Sequence, residues 1–384
     1  MDFILLTTSK TYDIAEKRPI VGGVQTYIRD LCILAMEKRY HAIIYQLDKE
    51  QPDTVTNFDG IEFHIIHKTR KTNQAVFDRI YKSKNNAKAL FVVATDQMDI
   101  RTKAKNVIVI QHGIAFDNPI ETGFWSKSRI LLHINKILRC IKNVRRFYWN
   151  RNTVCVDYNY LNWFRTLGMV YSEKKVAVIP NYSRTHISQE EFNDKINRHR
   201  KNEKLRVVFA RRFCTYRGTR LFMNCIDKLL PLYPNVEFTF AGDGELKDEI
   251  IKRYENEPRV HLTKFQATES ITFHKQFDIA VVPTIFSEGT SLSLIEAMSA
   301  GCFPIATHVG GLTNIIIDHF NGLLCYPSED GVYEAFIAAL SMNEKEFISI
   351  IQNAYVSAVN AFSIEQWQTR WSQFMDEVMM DSAK

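Results

Sequence analysis

The sequence predicts two Rossmann-like α/β domains with parallel sheets, and three observations carry that expectation. The chain has 384 residues, too many for one ordinary core and suited to two. Short β-branched and aromatic runs alternate with longer helical patterns, the order that builds parallel sheets covered by helices on both faces. That rhythm stops in a polar, charge-rich stretch at 184–204 and then restarts.

In the first half the strand signals are Phe3–Thr7, Ala42–Gln46, Glu62–Ile66, Leu90–Ala94, Val107–Ile110, Val154–Val156 and Val176–Ile179, with helices such as Val24–Lys38 and Asn159–Leu167 between them. In the second half they are Leu205–Ala210, Glu237–Ala241, Val260–Leu262, Ile279–Val282, Phe303–Ala306 and Leu323–Cys325. Helical patterns there fall at Gly218–Leu230, Leu246–Tyr254, Leu292–Ala300 and Val332–Ser341. The expected organisation is an N-terminal domain at 1–183, a partly helical linker at 184–204, a C-terminal domain at 205–362 and a terminal helix at 363–384.

Composition narrows the class. Hydrophobic residues make up 46% and charged residues 24%, as in soluble globular proteins. The opening Met1–Thr8 has no basic start and only a short apolar run, so it reads as a buried first strand rather than a signal peptide. No later apolar stretch is long enough to span a bilayer. The seven cysteines are scattered without Cys-x-x-Cys pairs, which points to reduced structural thiols in a cytoplasmic protein and away from zinc. A net charge of +6 suits anionic partners.

The most informative segment is Ser287–Gly301, which follows the strand signal Ile279–Val282 and opens a helix. Gly289 admits close backbone approach, and the N–H groups after it are the unpaired donors of a helix start, suited to anionic oxygen. Glu288 precedes the helix and Glu296 lies about two turns inside it, so a polyol ligand could be held at two ends. The same residues also suit an ordinary capped helix, because Ser287, Thr290 and Ser291 all cap well.

Glu288 and Glu296 bracket seven residues. This Glu-x7-Glu spacing, the text around it and the Val309–Leu312 turn resemble glycosyltransferase family 4, whose members are retaining enzymes of GT-B fold. The resemblance implies two Rossmann-like domains facing a cleft, with the terminal helix returning to the N-terminal domain. It implies that Glu288 binds donor-sugar hydroxyls, that Glu296 binds ribose hydroxyls, and that backbone at Gly289, Thr290, Ser291 and Leu292 holds sugar and diphosphate.

After the strand Leu205–Ala210 comes Arg211-Arg212-Phe213-Cys214-Thr215-Tyr216-Arg217-Gly218. Fixed cations at Arg212 and Arg217 would stabilise the charge that grows on a departing nucleoside diphosphate without a metal. The family has Gly-Arg, a loop, then Lys-Gly. Here Arg211 stands where the first glycine is expected and Arg217 replaces the lysine. Taken alone, the segment also suits a solvated basic turn. Gly242, in Ala241-Gly242-Asp243-Gly244, resembles the family turn beside the nucleotide, and Lys264-Phe265 falls where the family holds the base. Gly22 and Gly23 resemble its Gly-Gly turn after the first strand, while His112, just beyond Val107–Ile110, stands where a family histidine faces the donor sugar. Pro180-Asn181-Tyr182 matches its domain junction.

Between Phe124 and Val156 there is no Asp or Glu, while Lys127, Arg129, Lys136, Arg139, Lys142, Arg145, Arg146 and Arg151 interleave with aromatic and aliphatic residues. Helical spacing of the apolar positions predicts one buried face. The one-sided charge equally suits an anionic membrane surface through residues 125–151. No nucleic-acid motif accompanies it.

The expected activity is retaining transfer from a nucleotide sugar, UDP- or GDP-linked, to a glycan or lipid-linked acceptor, with no metal and no cofactor. A bacterial surface polysaccharide or lipopolysaccharide is the expected product class. A dehydrogenase is disfavoured, because no Gly-x-Gly-x-x-Gly follows the first strand. The remaining alternative is a non-catalytic nucleotide-sugar-binding subunit or sensor of the same fold.

Overall fold

The computed structural model describes residues 1–20, 22–68, 72–84, 89–113, 127–168, 174–201 and 204–383. Contacts divide the chain into two compact units. The first comprises Met1–His112, Arg129–Ile179 and Gln368–Lys384, and the second Gly113–Ser128 and Pro180–Trp367. Both are α/β, and each is built on its own sheet.

The first unit contains strands β1 (Asp2–Thr7), β2 (Tyr12–Asp13), β3 (Arg18–Pro19), β4 (His41–Asp48), β5 (Thr54–Phe58), β6 (Ile61–His67), β7 (Leu90–Val93), β8 (Val107–Gln111), β9 (Asn152–Cys155) and β10 (Lys175–Val178). Its helices are α1 (Gly23–Glu37), α2 (Asn73–Lys84), α3 (Arg129–Trp149) and α4 (Tyr158–Gly168). Eight strands form one sheet in the order β10-β9-β8-β7-β1-β4-β6-β5, while β2 and β3 make a small antiparallel ribbon. Central strands such as β1 and β7 are buried almost throughout, as unbroken apolar runs in a parallel sheet should be. The edge strand β5 pairs antiparallel with β6 and has half-exposed residues, so its apolar signal is too weak to announce it in the sequence.

The second unit carries α5 (Gln189–Lys201), β11 (Leu205–Ala210), α6 (Thr219–Leu229), β12 (Val236–Ala241), α7 (Lys247–Tyr254), β13 (Val260–Thr263), α8 (Ser270–His274), β14 (Ile279–Val282), α9 (Leu292–Ser299), β15 (Phe303–Thr307), β16 (Leu323–Cys325), α10 (Glu329–Ser341) and α11 (Glu344–Ala361). Its six strands run parallel in the order β13-β12-β11-β14-β15-β16. Helix α6 buries Phe222, Met223, Cys225, Ile226 and Leu229, a helical stripe that packs on Phe209, Phe238 and Phe240 of the sheet. Ser328 and Asn343 cap α10 and α11 by accepting from Gly331 N at 3.1 Å and Glu346 N at 3.0 Å.

The polar stretch 184–204 is not a bare connector. Ile187, Phe192 and Ile196 enter the core of the second unit, and the Phe192 ring stacks on Tyr355 at 4.5 Å. Three apolar residues among many charges make too sparse a signal to separate a docked helix from a linker. The last helix, α12 (Ile364–Ser382), joins the first unit from Gln368 onward. There the Trp371 indole N–H donates to the Tyr27 hydroxyl at 2.8 Å, and the Lys38 ammonium pairs with Asp376 at 2.9 Å.

Helix α3 departs from expectation. Phe147 is its one buried residue among those described, so the predicted buried apolar face is not present. Trp125 lies outside the described residues.

Candidate active site

The second sheet places β11 beside β14, with β12 and β13 continuing to one side and β15 and β16 to the other. At such a switch point the loops leaving the two strands diverge, opening a crevice at their carboxyl ends. The loop after β11 carries Arg211, Arg212 and Arg217, and the loop after β14 carries Thr284, Glu288, Gly289 and Thr290.

These loops meet at Glu288. Its carboxylate is only 8% exposed, and its Oε2 accepts from Arg211 Nη2 at 2.5 Å, from the Thr284 hydroxyl at 2.9 Å and from Arg217 Nη1. Arg211, 6% exposed, also donates through Nη1 to Thr284. Burial alone would raise the carboxyl pKa, but Arg211 and Arg217 outweigh it and hold Glu288 below the ordinary carboxylate range. Two guanidinium groups against one carboxylate leave a surplus positive charge at the switch point, which suits an anionic ligand group.

The turn at Gly310-Gly311 supports this loop. Gly311 N donates to the Glu288 carbonyl at 2.8 Å. A Cβ on Gly311 would stand 2.4 Å from the Gly289 carbonyl carbon and 2.7 Å from Thr290 N, so backbone approaches where a side chain cannot fit. Asn181 adds a second support, its amide donating to the Thr290 carbonyl at 2.7 Å. Ser291 stands at the N-cap of α9, yet its side chain makes no capping hydrogen bond. Its hydroxyl lies 3.3 Å from that of Ser293, and Leu292 is the first helical residue.

Glu296, one helix face further on, accepts from the Ser270 hydroxyl at 2.6 Å. Burial pushes its carboxyl up to about 7 against the opposing effect of that bond. The His274 Nδ1 lies 3.2 Å from the same hydroxyl, and burial pulls His274 down to about 4, so it is neutral at pH 7. Phe265 stacks on Phe273 at 4.3 Å and meets the His274 ring at 5.6 Å. Lys264 pairs with Asp243 at the exposed edge of the turn, and Gly242 N donates to the Thr263 carbonyl at 3.0 Å.

A carboxyl raised in the folded state has a definite pH signature. Glu296 binds its proton more tightly folded than unfolded, so its ionisation lowers stability as pH rises from about 4.5 through about 7. Glu296→Gln should therefore gain on the parent protein between pH 5 and pH 8, by at most roughly 3 kcal/mol. Thermal midpoints of both proteins across that range would show the gap; parallel curves would contradict the buried carboxyl.

In the first unit, His112 follows β8, and its Nε2 lies 2.8 Å from the Ala94 carbonyl. A carbonyl only accepts, so that contact places the proton on Nε2 and leaves Nδ1 as the acceptor. Burial lowers the His112 pKa against this bond, keeping the ring neutral at pH 7. The Tyr27 ring meets it edge-on at 5.3 Å. Gly22 is extended and precedes α1, accepting from Thr26 N at 2.8 Å, while Gly23 begins the helix.

Of the residues singled out by sequence, the structure brings Glu288 and Arg217 into direct contact and packs Gly289 against Gly311. Arg212 is exposed and outside the Glu288 network, and Arg211 takes the inner position. Arg211, Thr284 and Ser270 escape sequence reasoning. Adjacent residues of an extended chain point to opposite sides, so one of two neighbouring arginines was bound to face inward, but nothing local says which. Among the described residues no group of three or more His, Cys, Asp or Glu could hold a metal ion.

Residues 189–356 match the family model for glycosyl transferases group 1. Glycogen synthase of Aquifex aeolicus is 28% identical over 155 residues, 40% of this chain and 32% of that protein. Sulfoquinovosyl transferase of Arabidopsis thaliana is 28% identical over 154 residues, 40% of this chain and 29% of that protein. The chain thus spans about a third of the length of these curated relatives. Across the whole chain, sucrose-phosphate synthase from Thermosynechococcus elongatus superposes with a TM-score of 0.73 at 13% identity, covering 99% of both chains. HepE of Anabaena, solved in complex with UDP, gives 0.67 at 14% identity, covering 98% of this chain and 100% of that one. Residues 189–356 are thus similar to glycosyl transferases group 1, in a chain of GT-B fold.

Proposed function

We propose that this protein is a retaining, metal-independent glycosyltransferase that moves a sugar from a UDP- or GDP-linked donor to a glycan or glycolipid acceptor. The observation that carries this reading is the buried Glu288 carboxylate gripped by Arg211 and Arg217 at the sheet's switch point. The group 1 domain match and the UDP complex of HepE support it.

In this reading, Arg212 and Arg217 stabilise the departing nucleoside diphosphate, helped by the amides of Gly289, Thr290, Ser291 and Leu292. Glu288 and His112 position the donor sugar, Glu296 holds the ribose, and Gly22, Gly23 and Gly242 let backbone approach the donor. Lys264 and Phe265 flank the base. The bond from the anomeric carbon to the diphosphate breaks, and the acceptor oxygen bonds on the same face. Its proton passes to the departing phosphate oxygen, so no side chain serves as general base. We assign the product to bacterial surface polysaccharide or lipopolysaccharide and the protein to the cytoplasm, with peripheral attachment to the inner face of the cell membrane.

A thermal-shift titration with UDP, GDP and ADP tests the donor site. One nucleotide near a hundredfold excess over its Kd should stabilise the protein by about 2.7 kcal/mol. The shift should persist in chelator and shrink in Arg212→Ala, an exposed site where folding is spared. No shift with any nucleotide would contradict the proposal. Binding of a nucleotide sugar with no transfer to any acceptor would favour a non-catalytic role.

A further inference from the structure

Helix α3 turns its apolar stripe outward. Ile130, Ile134, Ile137, Leu138 and Ile141 share one helical face, and each is between 44% and 73% exposed. Tyr148 and Trp149 continue it and are half-exposed. The side toward the protein is largely polar. Arg146 donates to Asp99 at 3.0 Å, the Asn143 carbonyl accepts from the Tyr160 hydroxyl at 3.2 Å, and Asn150 is buried. Phe147, the one buried residue of the helix among those described, packs against Tyr160 and Phe164 of α4.

Basic residues flank the stripe. Lys127, Arg129, Lys136, Lys142 and Arg145 are exposed, and no ion pair among the described residues neutralises them. Lys103 adds a cation 4.8 Å from the Tyr148 ring and 5.4 Å from that of Trp149. Segment 124–156 contains no acidic residue to weaken this field.

We propose that this face of α3 lies on an anionic lipid bilayer. The isoleucines enter the boundary between headgroups and acyl chains, the lysines and arginines meet lipid phosphates, and Tyr148 and Trp149 sit at headgroup level. Charge complementarity selects this occupant: the stripe is apolar, its flanks are uniformly cationic, and its end is marked by two amphipathic rings. No helix among the described residues is long and apolar enough to cross a membrane, so the attachment lies along the surface. The inference rests on the peripheral attachment proposed above and names the surface that makes it; its test is separate from that of transfer, because lipid binding is measured without any reaction.

Co-sedimentation of the full chain with vesicles tests it, comparing phosphatidylcholine alone with phosphatidylcholine containing about one third phosphatidylglycerol. The protein should bind the anionic vesicles selectively, and less at high salt. The double variant Ile134→Glu/Ile137→Glu should bind at least roughly tenfold less, as should Lys142→Glu/Arg145→Glu. Thermal midpoints should not change, since these side chains are exposed. Equal binding to both vesicle types, or unchanged binding by either variant, would overturn the proposal. So would a lipid-free dimer, seen by light scattering, that Ile134→Glu/Ile137→Glu dissolves, because the stripe would then belong to a second copy of this chain.

Discussion

Glu288→Gln should lower the proposed sugar transfer by roughly 10²–10³-fold and destabilise the protein by about 3 kcal/mol. Both effects come from one change of charge at nearly constant shape. The carboxylate Oε2 accepts from Arg211, Arg217 and Thr284, and Arg211 has almost no access to water. An amide oxygen can still accept, but it no longer balances a guanidinium enclosed by protein. Steady-state transfer measures the first consequence and denaturant midpoints the second. If stability is unchanged, the buried ion pair contributes nothing and the network is not as described. The acid side gives an independent check. The folded-state pKa of Glu288 is depressed, so its contribution is present above about pH 4.5 and is lost as pH falls through the folded value. The glutamine variant should lack that acid-dependent loss.

Gly218→Ala should lower stability by about 3 kcal/mol or more, and the thermal midpoint by roughly 5–10 °C. Gly218 has φ +81°, and a Cβ there would lie 1.8 Å from the Pro283 carbonyl oxygen and 2.7 Å from its carbon. The obstacle is backbone at the end of β14, so no rotamer change relieves it. Either the β11 loop or the β14 loop must move, and together they carry Arg217 and Glu288. Gly60→Ala separates the two causes. It has a similar φ of +80° but meets only the Met36 sulfur, at 3.4 Å, so it should show the backbone preference alone, roughly 1–2 kcal/mol. Equal losses at both sites would mean that the Pro283 contact is not tight.

Much of the fold was legible because its signals are local. The runs Leu205–Ala210, Ile279–Val282 and Leu323–Cys325 are strands with those same bounds, since interior parallel strands are short, largely apolar segments between turns. Edge strand β5 was not legible, and α5 was legible only as part of a partly helical linker, not as a docked helix. Their burial depends on a neighbour's surface, with alternating half-exposure in one and three docked apolar residues in the other. At the site, the Glu288–Gly301 text announced a strand-to-helix loop with a carboxylate at its start. The two guanidinium partners of that carboxylate come from a loop about 70 residues earlier, as the separation of 71 between Arg217 and Glu288 shows.

The sequence by itself determined the succession of strands and helices, the placement of glycines at tight loops and the concentration of cations in two segments, because each depends on neighbouring residues alone. Tertiary structure decided what those segments do. Packing of β11 beside β14 sent Arg211 inward to Glu288 and left Arg212 exposed, although the two are chemically identical. Docking of α3 by Phe147 and polar contacts left its isoleucines facing out, although their spacing reads the same whether the face is buried or bare. Periodicity says which residues share a face; only the surfaces brought against it determine what that face meets.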